Sequence, residues 1–151
     1  MTRTQLILIA AGGSLASLLG AFGFEYIGDM PPCKLCIWQR WPHAVAILAG
    51  ILALTLRSKL WPLAGFLGAA TTSAIGFYHT GVERKWWEGP TSCTSSGTEG
   101  LSPAELLEKI MAAPLVRCDE VPWEMFTLSM ATWNGIGALV LALIWLRALK
   151  A

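Results

Sequence analysis

The stretch LILIAAGGSLASLLGAFGFEYI, residues 6–27, is apolar throughout except for Glu25 near its end. Crossing a hydrocarbon core of about 30 Å as an α-helix takes about 20 residues, and this stretch is long enough. Three further runs of similar length follow, from about Ile37 to Leu56, Leu60 to Tyr78 and Phe126 to Leu146. All four are continuous rather than alternating, which argues against the strands of a membrane barrel. The expected fold is therefore all-α, a polytopic four-helix bundle forming one integral membrane domain over residues 1–151. Arg3 and the Ser14-Leu15-Ala16 triplet give the first run some likeness to a cleaved signal, but its length and the three later runs favour a span.

Composition agrees. Of 151 residues 54% are hydrophobic and 14% charged, against about 25% charged in soluble chains. This apolar content excludes a disordered chain. The net charge of +1, without a basic stripe, points away from a nucleic-acid partner and leaves the lipid bilayer as the surroundings.

Charge also predicts orientation. Four spans put both termini and the short Arg57-Ser58-Lys59 link on one side, together with Arg3, Arg147 and Lys150 and no acid. Short loops rich in Lys and Arg stay cytoplasmic, so both termini are expected inside, with 28–36 and 79–125 outside. Trp38, Trp41, Trp86, Trp87 and Trp123 fall near the outer edges and Trp61 and Trp145 near the inner ones, as in interfacial belts. Trp133 lies deeper than a belt explains. Small residues at four-residue spacing, Gly12, Ala16 and Gly20 on the first span and Gly68, Thr72 and Gly76 on the third, read as helix-packing stripes.

All four cysteines, Cys33, Cys36, Cys93 and Cys118, fall on the expected outer side, where disulfide chemistry is the natural reading. The Cys33-Lys34-Leu35-Cys36 element would be a poor staple, since closing so short a loop removes little unfolded-state entropy. As a redox element it is apt, because nearby cations such as Lys34 and Arg40 favour thiolates. If the chain is helical from Cys36, Arg40 shares its face. Alternatively Pro42 marks the helix start, and 36–40 form a surface turn. Either way Arg40 is a costly cation at the membrane edge, to be compensated by a polar ligand or by snorkelling to lipid phosphate. A zinc site is disfavoured because the second pair is separated by 24 residues, where structural sites use short paired spacings. No metal is expected.

Cys93 and Cys118 frame a changeable segment. Thr94 to Gly100 is small and polar and reads as a flexible loop. Ser102, Pro103 and Glu105 then give an N-cap, a first-turn proline and a capping-box acid. Leu106, Leu107, Ile110 and Met111 form the apolar side of a short helix that Pro114 ends, lying on the membrane surface or on the bundle top. A static Cys93–Cys118 staple would suit this 46-residue loop, Thr80 to Met125. The Cys-x-x-Cys on the same side makes a relay the better reading.

The run Pro32-Cys33-Lys34-Leu35-Cys36-Ile37-Trp38-Gln39-Arg40 resembles the signature of the disulfide bond formation protein B (DsbB) family. Cys118-Asp119-Glu120 with Trp123, Phe126, Met130 and Trp133 is similar to its second cysteine motif. The resemblance implies a dithiol:quinone oxidoreductase of the bacterial inner membrane. It would reoxidise a periplasmic thioredoxin-fold dithiol oxidase, DsbA-like, and pass the electrons to a membrane quinone, ubiquinone or menaquinone. It further implies that Cys93 carries the mixed disulfide with the partner, and that Cys118 resolves it and exchanges with Cys33. Cys36 would meet the quinone as thiolate beside Arg40. His79 is placed like a histidine near the quinone in that family, although a histidine at a helix end is ordinarily an interfacial or capping residue. Gln39 stands where some relatives have an acid, and Glu25 and Asn134 read as structural, with a place facing the outer site as the alternative for Glu25. A vitamin K epoxide reductase-like enzyme is the first alternative, disfavoured because its quinone-side Cys-x-x-Cys comes late in the chain. A membrane scaffold with static disulfides is the second, and it leaves Arg40 beside a Cys-x-x-Cys unexplained.

Overall fold

A computed structural model describes residues 1–56, 58–90, 93, 100–112 and 116–151. Arg57, the 94–99 part of the polar loop and the stop at Pro114 lie outside the described residues. Four helices, α1 (Arg3–Tyr26), α2 (Lys34–Thr55), α3 (Leu60–Glu83) and α5 (Met130–Lys150), are each long and apolar enough to cross a membrane. A short helix α4 (Pro103–Ala112) and a two-stranded antiparallel ribbon, β1 (Glu124–Met125) and β2 (Leu128–Ser129), lie between α3 and α5.

Local chemistry sets the helix ends. Thr2 and Gln5 form a capping box on α1, and the Ser129 hydroxyl accepts from the Thr132 N–H to start α5. Arg147 and Lys150 occupy the last turn of α5, complementing its dipole. Two of the boundaries that differ from the sequence reading have a clear cause in the fold. Helix α3 continues past Tyr78 to Glu83, because Val82 and His79 are buried against neighbours. The last span starts at Met130 and not at Phe126, because Phe126 and Thr127 adopt positive φ (52° and 62°) and turn the β1–β2 ribbon. Trp133 therefore sits in the first turn of α5, where its indole N–H donates to the Met125 carbonyl at 3.1 Å. Its depth was an artefact of the misplaced helix start.

Helix α3 packs against α2 and α5, and α1 packs against the same two, giving a four-membered ring of helices. The α3 small-residue stripe makes these contacts. A Cβ on Gly68 would lie 2.8 Å from the Pro42 carbonyl, and one on Gly76 would lie 2.9 Å from the Gly135 backbone. The α1 stripe does not: nothing lies within 4 Å of a Cβ at Gly12 or Gly20, and the contact with α5 is made at Gly13 against Leu141. Trp145 is likewise no belt residue. It is fully buried, with its indole against Gly65, in a cluster with Ile7, Ala10, Ala69 and Ala148. On α4 the Ser102–Glu105 capping box forms as expected, while Leu107, Ile110 and Met111 are exposed. That exposed side is therefore not packed on the bundle.

Candidate functional site

Helix α2 runs unbroken from Lys34 through Pro42, so Pro42 does not mark its start. Proline at this position leaves the Trp38 carbonyl without its helical donor. One residue on, the Thr72 hydroxyl from α3 donates to the Gln39 carbonyl at 2.8 Å, binding the two helices at the proline turn. Cys33 is the N-cap of α2: its sulfur accepts from the Cys36 N–H at 3.2 Å and lies 2.9 Å from the Cys36 sulfur. Both are free thiols, with Cys33 buried and Cys36 half-buried. The hydrogen bond to Cys36 and burial push the Cys33 thiol up, outweighing the backbone N–H groups that favour its thiolate.

Cys93 and Cys118 are disulfide-bonded, with Cα atoms 5.3 Å apart, and both are fully buried. They pack with Cys33, Leu35 and Val82 in one cluster, so the disulfide sits on the start of α2. His79, buried on α3, reaches in from the side, with its Nε2 3.6 Å from the Cys33 sulfur. The Cys33 and Cys118 sulfurs and a ring nitrogen of His79 lie within 4.8 Å of one another. In the disulfide-bonded state Cys118 offers no thiolate to this group. On the rim, Arg117 forms a two-point ion pair with Asp119, 3.0 and 2.6 Å, and holds the Asp119 carboxyl below the usual carboxylate range.

A cavity of about 720 Å³ opens beside Cys33 and Cys36. Leu18, Ala21, Phe24, Met30 and Trp123 supply apolar wall, and Arg40, Gln39, His43 and His79 supply polar groups. Trp123 closes one edge by packing on Phe24, with ring centroids 5.3 Å apart. Arg40 lies one turn beyond Cys36, and its charge is already compensated: it forms an ion pair with Glu25 of α1 and lies 4.8 Å from the Phe22 ring centroid. The cost of burying Arg40 therefore does not by itself demand a ligand. Its Nε is nonetheless buried with no hydrogen-bond partner.

The family model described as disulfide bond formation protein DsbB matches residues 3–148. The chain belongs to the DsbB family. It is 28% identical over 150 residues to disulfide bond formation protein B of Shewanella frigidimarina, covering 95% of this chain and 86% of that one. It is 30% identical over 132 residues to disulfide bond formation protein B 2 of Pseudomonas aeruginosa, covering 83% and 78%. The match to the Polaromonas naphthalenivorans protein is 28% over 153 residues, 92% and 86%. No solved structure matches it significantly. Membership makes this a multi-pass membrane protein of disulfide bond formation, a disulfide-forming oxidoreductase, and agrees with the four spans.

Of the residues singled out in the DsbB-like motifs, the fold brings Cys33, Cys36, Cys118 and His79 together at one end of the bundle, with Cys93 behind Cys118 and Arg40 one turn deeper. Glu83 went unnoticed in the sequence. Its carboxylate is buried, accepts from the Ser129 hydroxyl and lies 3.8 Å from His79 Nε2. The i,i+4 spacing from His79 was the available signal. His43, also unremarked, joins Asn134 and Gln39 in a buried polar cluster.

Proposed function

We propose that the chain is a thiol oxidase of the bacterial inner membrane, with both termini in the cytoplasm, that reoxidises a periplasmic thioredoxin-fold dithiol oxidase and delivers the electrons to a membrane quinone. The observation that carries this reading is the approach of the Cys118 and Cys33 sulfurs within 4.8 Å, with Cys36 behind them on an apolar cavity. Two static staples gain nothing from such proximity, whereas thiol–disulfide exchange requires one sulfur to reach another.

In this reading a partner thiolate attacks Cys93, the Cys93–Cys118 bond breaks, and Cys118 leaves as thiolate. Cys118 then attacks Cys33 of an oxidised Cys33–Cys36 pair and releases Cys36 as thiolate into the cavity. The partner's second thiolate closes its own disulfide and frees Cys93. Cys93 attacks Cys118, restoring the outer-loop disulfide and releasing Cys33. A quinone, when bound, supplies the sink for two electrons and two protons as Cys33 and Cys36 close again. The cavity suits such a head group: it is walled by apolar side chains, reached by Cys36, and lined by Arg40.

The test is quinone reduction, followed by absorbance, when a reduced thioredoxin-fold partner is added to the purified protein, with Cys36→Ala as control. Turnover that vanishes in the variant is the expected result. Turnover retained without Cys36 refutes the relay, and absence of turnover with several partners and quinones refutes the proposed electron donor and acceptor.

A further inference from the structure

Beneath Cys33, side chains from three helices form one hydrogen-bonded line. His43 Nε2 meets Asn134 Oδ1 at 2.9 Å, Asn134 Nδ2 meets Gln39 Oε1 at 2.8 Å, and Gln39 Nε2 meets His79 Nδ1 at 3.0 Å. His79 Nε2 then faces the Cys33 sulfur at 3.6 Å. The direction of the line follows from two groups outside it. The Leu35 carbonyl can only accept, so the Gln39 atom 3.2 Å from it is the amide nitrogen. The Thr72 hydroxyl spends its hydrogen on the Gln39 carbonyl, so the Asn134 atom 3.3 Å from it is also the amide nitrogen. Both amides are thereby oriented. Gln39 presents an N–H to His79 Nδ1, which must offer a lone pair, and the proton of the neutral ring resides on Nε2.

We propose that Gln39 is a positioning residue for thiol exchange, held by the Leu35 carbonyl and the Asn134–His43 pair so that His79 keeps the tautomer whose Nε2–H faces the Cys33 sulfur. This rests on the relay above, and it concerns the step in which Cys93 thiolate attacks Cys118. A Cys93–Cys118 bond forms, the Cys33–Cys118 bond breaks, and the electron pair stays on Cys33, with no net change of oxidation state. Cys33 is a buried thiol pushed up from its ordinary value, hence a slow leaving group. A fixed N–H donor beside it stabilises the departing charge. The other groups at the ring are the Glu83 carboxylate, 3.8 Å from Nε2 and itself engaged by Ser129, and the Cys118 backbone carbonyl, which accepts from the ring beside the Cys33 sulfur.

Gln39→Glu keeps the shape but gives up the donation to the Leu35 carbonyl and reverses the bond to His79, since a carboxylate only accepts and Nδ1 must then carry the proton. The chain has two histidines, so the 15N-imidazole NMR spectrum of the full-length protein in micelles is read directly, with His43→Gln assigning the signals. We expect Nε2 protonated and Nδ1 bare at His79 in the wild type, and Nδ1 protonated in Gln39→Glu. In a Cys36→Ser background, alkylation of Cys33 then slows by about tenfold at neutral pH, the worth of a hydrogen bond to a charged sulfur. A wild-type spectrum with the proton on Nδ1 overturns the proposal without any variant. So does slower alkylation with Nε2 still protonated, which assigns the effect to the added charge alone. Neither measurement needs quinone or partner, so a failed oxidase assay and a failed tautomer are read separately.

Discussion

The Arg40–Glu25 ion pair joins α2 to α1 at the cavity wall, and Glu25→Gln removes its charge while keeping a hydrogen-bond acceptor. Two unit charges about 4 Å apart at an effective dielectric of 20 attract by about 4 kcal/mol. The side chains are 18% and 21% exposed, and the glutamine retains part of the hydrogen bond, so we expect a loss of about 2 kcal/mol. For a chain of this size that is a fall of about 4–8 °C in Tm, read by thermal unfolding in detergent. The same substitution leaves the guanidinium uncompensated beside the cavity. If Arg40 polarises a quinone carbonyl there, KM for quinone falls in Glu25→Gln while stability falls with it. A double-mutant cycle with Arg40→Met isolates the pairwise part. Unchanged Tm and unchanged KM would refute both halves of the reasoning. A lower Tm with unchanged KM would leave the pair as a helix tie only.

Three further outcomes follow from particular contacts. In the Cys36→Ser, Cys93→Ser double variant, Cys33 and Cys118 are the remaining thiols and start within 4.8 Å, so mild oxidation should join them within one chain. Mass spectrometry of the non-reduced digest checks this, and failure to cross-link contradicts exchange between the two pairs. Gly65→Ala places a Cβ 2.5 Å from the buried Trp145 ring and should cost about 1–3 kcal/mol, whereas Gly12→Ala on the open face of α1 should cost nothing measurable in the same unfolding assay. Asp119 is depressed by Arg117, so its contribution is present above the ordinary carboxylate pKa and is lost as pH falls through the lower folded value. As a rim pair it is worth under about 1 kcal/mol, and Arg117→Gln should abolish that acid-side slope of stability.

The spans were legible in the sequence because burial in lipid imposes a demand on each segment separately: about 20 apolar residues in a row, whatever the neighbours do. The Cys-x-x-Cys and its Arg40 were legible for a related reason, since they lie within two turns of one helix. The α4 cap was equally local. Errors arose where a neighbour decided the outcome. Whether Trp145 belonged to a belt or to the core depended on Gly65 of another helix lacking a side chain. Which glycine stripe packed depended on what faced it, and nothing lies within 4 Å of a Cβ at Gly12 or Gly20 of α1. Helix α5 started four residues late because the β1–β2 turn, with its two positive φ values, occupies the intervening residues.

For the site, the sequence by itself determined the set of sulfurs, but it left the helix start beside them open between Cys36 and Pro42, and the helix begins at Lys34. It could not bring Cys118 to Cys33, which are separated by most of the chain and meet because both pack on Leu35 and Val82. It gave Arg40 a cost without its remedy, which is Glu25 on another helix. Gln39 reads as one position of the Cys-x-x-Cys motif, Asn134 reads as structural, and nothing local marks His43. Only the tertiary structure lines them up, because a hydrogen bond inside a bundle depends on which faces of three helices turn inward together, and no single helix encodes that.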